Sequence, residues 1–237
     1  MTATIVRLHH NAITLALHHL AGEAGHHLAG EAGHHLAGET GEGRPLLLLH
    51  GLGERSPDTV PDYAATWTGP IYALDFTGHG LSGVPKGGGY SAEVLMADAD
   101  VVLAEIGPST VVGRGLGAYI AMLIAGARPQ LVKGAVLCDG PGLFGGGVGP
   151  TSATLLTVDN EDGHTPDPWA LAEMSRDVRP PDYATSFARA ALQLSGVAWP
   201  FAVCARWRPP WLEALAAEPG VLDLGLDEAV AFYRDLP

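Results

Sequence analysis

Residues Gly113-Arg114-Gly115-Leu116-Gly117 have the frame of a G-x-S-x-G turn, with glycine in the place of the serine. In that frame a serine oxygen, lifted out on a sharp strand-to-helix bend, attacks an acyl carbon. Flanking glycines let the bend tighten and the helix approach the strand, and both needs persist without the serine side chain. The β-branched run at 109–112 predicts a buried strand and the apolar run at 118–125 predicts a helix, so the frame lies on the junction it requires. The frame for acyl transfer is kept and its nucleophile is missing.

Two further segments extend the pattern. Leu46-Leu47-Leu48-Leu49-His50-Gly51-Leu52-Gly53 is an apolar strand running into an HG turn, and Ala73-Leu74-Asp75-Phe76-Thr77-Gly78-His79-Gly80-Leu81-Ser82 is a second strand with a D-x-x-G-H-G-x-S tail. In this order and spacing, with the glycine turn following, the chain resembles the α/β-hydrolase superfamily, most strongly over residues 45–140. The resemblance implies an α/β fold: a single α/β-hydrolase-like domain over 1–237, with a mostly parallel central sheet flanked by helices, an N-terminal β-hairpin carrying an octapeptide repeat, and a reduced cap. It further implies that the backbone N–H groups of Leu52 and Leu116 form the oxyanion hole, and that His79 and Ser82 shape their loop.

The same resemblance sets a chain order of serine, acid, histidine, with the histidine after the final strand. Here the last histidine is His164, in a polar linker, and residues 205–208 after the penultimate strand contain no carboxylate. Asp139, directly after its strand, is the best remaining acid. Losing nucleophile and base together leaves only oxyanion donors and binding, so the chain reads as a pseudoenzyme for a small ligand or a protein partner. Gly115 enlarges the pocket, and the helix N-terminus with the Leu52 and Leu116 N–H groups favours an anion there. Arg114 either adds its charge to that site or pairs with a surface carboxylate. Two other classes stay open: an enzyme of non-standard catalytic set, such as a lyase or isomerase moving protons with Asp139, His79 or His164, and a structural subunit of a larger assembly.

The elements that must position these residues follow a β-α alternation. Strands are predicted at 71–74, 109–112, 135–138, 200–205 and 221–224. Helices are predicted at 58–67, 91–105 with Ser91 as N-cap, 116 to about 127, 168–176, 182–194, 210–218 and 227–236. Residues 140–195 read as a linker and a small helical cap.

A formal charge of −13 with no basic cluster excludes nucleic acid and disfavours anionic membrane surfaces. No apolar run approaches membrane-spanning length, and His9, His10, Asn11 and Thr14 interrupt any signal core, which predicts a soluble, cytoplasmic protein. Cys138 and Cys204, each in a predicted core strand, read as small buried hydrophobes.

Residues 18–41 hold three copies of one octapeptide, His-His-Leu-Ala-Gly-Glu-Ala-Gly, with Thr40 replacing an alanine in the last. The expected setting is a lengthened hairpin between strands 13–20 and 44–49, or a surface loop. Adjacent histidines on a strand point to opposite faces, so a pair is not a chelate, and neither a metal nor a cofactor is assigned.

Overall fold

Residues 3–22, 43–142, 160, 162–175 and 179–236 are described by the computed structural model. Among them eight strands form one sheet: β1 (Thr4–His10), β2 (Ile13–Ala21), β3 (Leu46–Leu49), β4 (Ile71–Asp75), β5 (Ser109–Arg114), β6 (Val132–Cys138), β7 (Phe201–Val203) and β8 (Val221–Asp223). Their order is β1-β2-β4-β3-β5-β6-β7-β8; β2 is antiparallel to β1 and β4, and every other pair is parallel. All four leucines of β3 are buried, as a central parallel strand covered on both faces requires. Leu47 and Leu49 join one apolar cluster and Leu46 and Leu48 join the other, on the opposite face.

The two faces are covered unequally. The first carries α1 (Ala92–Ile106), α2 (Leu116–Ala127), α3 (Pro168–Glu173), α4 (Pro181–Leu194) and α5 (Pro210–Ala216), which contribute buried residues to its cluster. The second is covered by α6 (Leu226–Arg234) and by the segment between β3 and β4. Ser91 caps α1 as its sequence predicts, with Oγ accepting the Val94 N–H at 3.3 Å. Residues 116–125 of α2 are all buried, which explains a helix that is apolar all round. Of the cap expected over 140–195, α4 packs against α2 and α5 in the helix layer, Ala170 and Met174 join the core, and residues 143–159 lie outside the described residues.

Two expectations are corrected. The hairpin of 13–20 with 44–49 does not form: β2 turns back on β1 through Asn11 and Ala12, with Asn11 at φ 54°, and β3 lies between β4 and β5. The leucine run needs neighbours on both sides, whereas β2 joins the open edge of β4. The helix expected at 58–67 reduces to one 3₁₀ turn, Asp62–Ala64, because Pro61 lacks a donor and biases Val60 away from helix. The first octapeptide copy begins on β2, and residues 23–42 lie outside the described residues. No described helix is long and apolar enough to cross a membrane.

Two buried carboxylates fix the loops at the C-terminal edge of the sheet. Asp75 accepts the N–H groups of Ser56 at 2.7 Å and Leu81 at 2.8 Å, and it also meets His18 Nε2 at 2.9 Å. Asp98 accepts Thr77 N–H at 2.9 Å and meets His10 Nδ1 at 2.7 Å, tying the β1–β2 hairpin to α1. Burial alone raises the Asp75 carboxyl, but His18 and the backbone donors outweigh it and hold the group below the usual carboxylate range. A carboxylate lowered on folding contributes stability above its unfolded value, and that contribution is lost as pH falls through the folded one. Asp75→Asn is therefore expected to lower unfolding free energy at pH 7 by roughly 2–4 kcal/mol. In urea melts across pH, the gap to the wild-type protein should narrow below about pH 4.

Candidate functional site

β5 passes into α2 through Gly115, at φ 54° and ψ −114°, a left-handed turn that favours glycine. The frame glycines are needed for contact as well: a Cβ on Gly113 would lie 2.2 Å from Gly117 O, and one on Gly117 would lie 2.3 Å from Leu49 O. At Gly115 the added atom would fall 2.2 Å from Pro141 O and 2.4 Å from Gly140 C. The space a nucleophile would use is filled by the backbone of the turn after β6.

The same turn meets the oxyanion donors. Leu52 N–H and Leu116 N–H both donate to Pro141 O, each at 2.9 Å. The two groups singled out by sequence thus converge on one oxygen, as an oxyanion hole does, and that oxygen belongs to the chain itself. An external anion must displace it. Arg114 pairs with Glu54 through two contacts of 2.8 and 2.9 Å, and Glu54 Oε2 also accepts Gly51 N–H at 2.9 Å. This is the pairing with a surface carboxylate that the sequence offered as one of two readings of Arg114.

The proton carriers suggested by sequence lie apart. Asp139 accepts the N–H groups of Arg206 at 2.8 Å and Trp207 at 3.0 Å, so its carboxylate closes the turn after β7. His79 is fully buried, with Nδ1 3.1 Å from Thr77 O and, among the described residues, no partner at Nε2, and burial pushes its pKa down. His164 is exposed, its side chain 81% accessible, and lies 3.7 Å from Asp162. Among the described residues no hydrogen bond joins Asp139, His79 and His164 to one another. His50, in the HG turn, donates from Nδ1 to Gly51 O at 2.7 Å and accepts Phe76 N–H at Nε2 at 3.1 Å. Burial, and then the neighbouring His79, lower its pKa to about 4, so it stays neutral and structural. Ser82 Oγ accepts Ala16 N–H and donates to Asp75 O, shaping the loop.

Residues 46–234 match the family model described as alpha/beta hydrolase family. The chain belongs to this family. Among curated relatives, a 2-hydroxymuconate semialdehyde hydrolase of Pseudomonas putida is 31% identical over 141 residues, covering 57% of this chain and 47% of the relative. A serine hydrolase-like protein of Danio rerio is 31% identical over 127 residues, covering 51% and 37%. The chain thus spans less than half the length of either. Among solved structures, a membrane phospholipase A described as a bacterial virulence factor aligns at TM-score 0.50 and 17% identity, covering 98% of this chain and 82% of that one. Epoxide hydrolase A from Mycobacterium thermoresistibile aligns at TM-score 0.43 and 20% identity, covering 59% and 40%. The likeness to the phospholipase is one of fold alone.

In this member of the alpha/beta hydrolase family, sequence reasoning missed Pro141. Its part is played by a main-chain carbonyl, which has no residue signature; the only local signal was Gly140-Pro141-Gly142 directly after a strand. It also missed a cleft of about 470 Å³ lined by Tyr63, Arg114 and Cys138. The Cys138 thiol is pushed up by the neighbouring Cys204, just past β7, and by burial; both cysteines are only half-buried, unlike the core positions expected.

Gly115→Ser must combine a left-handed side chain with the clash at Pro141 O. Chemical denaturation should show a loss of roughly 2–5 kcal/mol, the sum of backbone strain and overpacking. A variant as stable as the parent would mean that the 139–142 turn moves aside freely.

Proposed function

We propose that the protein does not act as a serine hydrolase and works by binding, its ligand being a small molecule or a protein partner. One observation carries this reading: the Pro141 carbonyl accepts both oxyanion-hole donors and abuts the nucleophile position. A substrate carbonyl entering there would meet an occupied site. Two further points support it. The turn after β7, where the acid is expected, is closed by Asp139 through two backbone donors, and the elbow position itself is glycine. The hydrolase names of the relatives describe those proteins, and the elbow residue of this chain differs from the serine that such chemistry uses. The single-domain reading of 1–237 and the cytoplasmic setting belong to the same proposal.

Incubation with a broad fluorophosphonate probe, followed by intact-mass measurement, tests it. Native protein should gain no adduct, matching a heat-denatured control. Stoichiometric labelling that disappears on unfolding would reveal an activated serine elsewhere and overturn the proposal.

A further inference from the structure

The connection from β3 to β4 contains only one 3₁₀ turn, so the face it shares with α6 is thinly covered. Where this segment and α6 meet, beside the C-terminal ends of β3, β5 and β6, lies the cleft of about 470 Å³. Its position is a switch point of the sheet. The chain leaves β3 for β4 on one side and returns through α1 to β5 on the other, and ligands of open α/β sheets bind outside the strand ends at such a point. The volume falls within the range of small-molecule sites.

The lining specifies a chemistry. Leu48, Pro61, Val112 and Leu226 supply apolar wall. The charged groups at the rim are paired, Arg114 with Glu54 and Arg55 with Asp58, so among the described residues the cleft offers no uncompensated charge. The Tyr63 hydroxyl has no hydrogen-bond partner among the described residues. Burial, followed by Cys138 and partly offset by Arg114, pushes its pKa up to about 12, so it remains a neutral phenol and a donor.

We infer that this cleft is a binding site for an uncharged, largely apolar small molecule whose carbonyl or other acceptor takes the hydrogen bond of Tyr63. The inference deepens the ligand-binding reading above, on which it rests for the claim that binding is what the protein does. It also moves the ligand away from the oxyanion hole, which Pro141 fills.

Acetophenone is a suitable probe: an apolar ring with one acceptor. Cumene has a similar shape without the acceptor, and benzoate carries a charge. Titrations followed by protein amide NMR should show acetophenone shifting residues at the ends of β3 and β5, and binding more tightly than either cumene or benzoate. Tyr63→Phe should weaken acetophenone roughly three- to tenfold, the loss of one hydrogen bond, and leave cumene unchanged. Leu226→Trp, which fills the cleft, should abolish binding; if that variant fails to fold, the Tyr63→Phe comparison still decides. Absent shifts, shifts confined to another surface, equal binding of acetophenone to Tyr63→Phe, or preference for benzoate would overturn the inference. Fluorophosphonate labelling separates the two proposals. Labelling together with acetophenone binding in the cleft removes the non-hydrolytic reading and keeps the site, whereas neither labelling nor binding removes the site alone.

Discussion

Pro141 O is shared by two amides from different parts of the chain, Leu52 after β3 and Leu116 at the start of α2, and the arrangement of the sheet edge depends on that sharing. A buried N–H without an acceptor costs about 1–3 kcal/mol, so two donors aimed at one empty point would be a standing penalty. The carbonyl removes it, and in doing so fastens the turn after β6 to both neighbours. Gly51 has to be glycine for the same reason, since a Cβ there would lie 2.6 Å from the Pro141 ring. The missing side chain at Gly115 and the close approach of Gly140 and Pro141 are therefore one packing solution.

Carboxylates do the equivalent work farther out. Asp75 holds Ser56 and Leu81, Asp98 holds Thr77 and the hairpin histidine His10, Glu54 holds Gly51 and Arg114, and Asp139 holds the turn after β7. Each accepts backbone N–H groups or a cationic side chain at a loop that has no regular structure of its own. Much of the acidic character of the chain is exposed, but these four side chains give the C-terminal edge of the sheet its shape. Asp139 shows how a residue chosen as a candidate acid is already committed to holding backbone.

The centre of the sheet was legible because its signals are local. Four consecutive leucines, a β-branched run and a glycine-framed junction each specify their element without reference to the rest of the chain. Ser91 likewise marks the start of α1 through its own hydroxyl. The pairing of β2 was not legible, because an edge strand's partner is decided by which neighbour remains open after the leucine strand has taken its two. The 58–67 segment carries polar and apolar residues at helical spacing, and Pro61 overrides them. The closure at Pro141 was hidden for a different reason: it joins atoms that every residue type possesses, and only the folded path brings them together. His79 and Ser82 were placed as loop-shaping residues, and their buried contacts with Thr77, Ala16 and Asp75 are of that kind.

The overlap between a Cβ at Gly115 and Pro141 O also constrains sequence change. A serine at 115 fits without strain only where the 139–142 turn stands farther off, while the present turn fits best against glycine. The contact thus couples position 115 to the 139–142 turn: a side chain at 115 carries its cost for as long as the turn stays where it is.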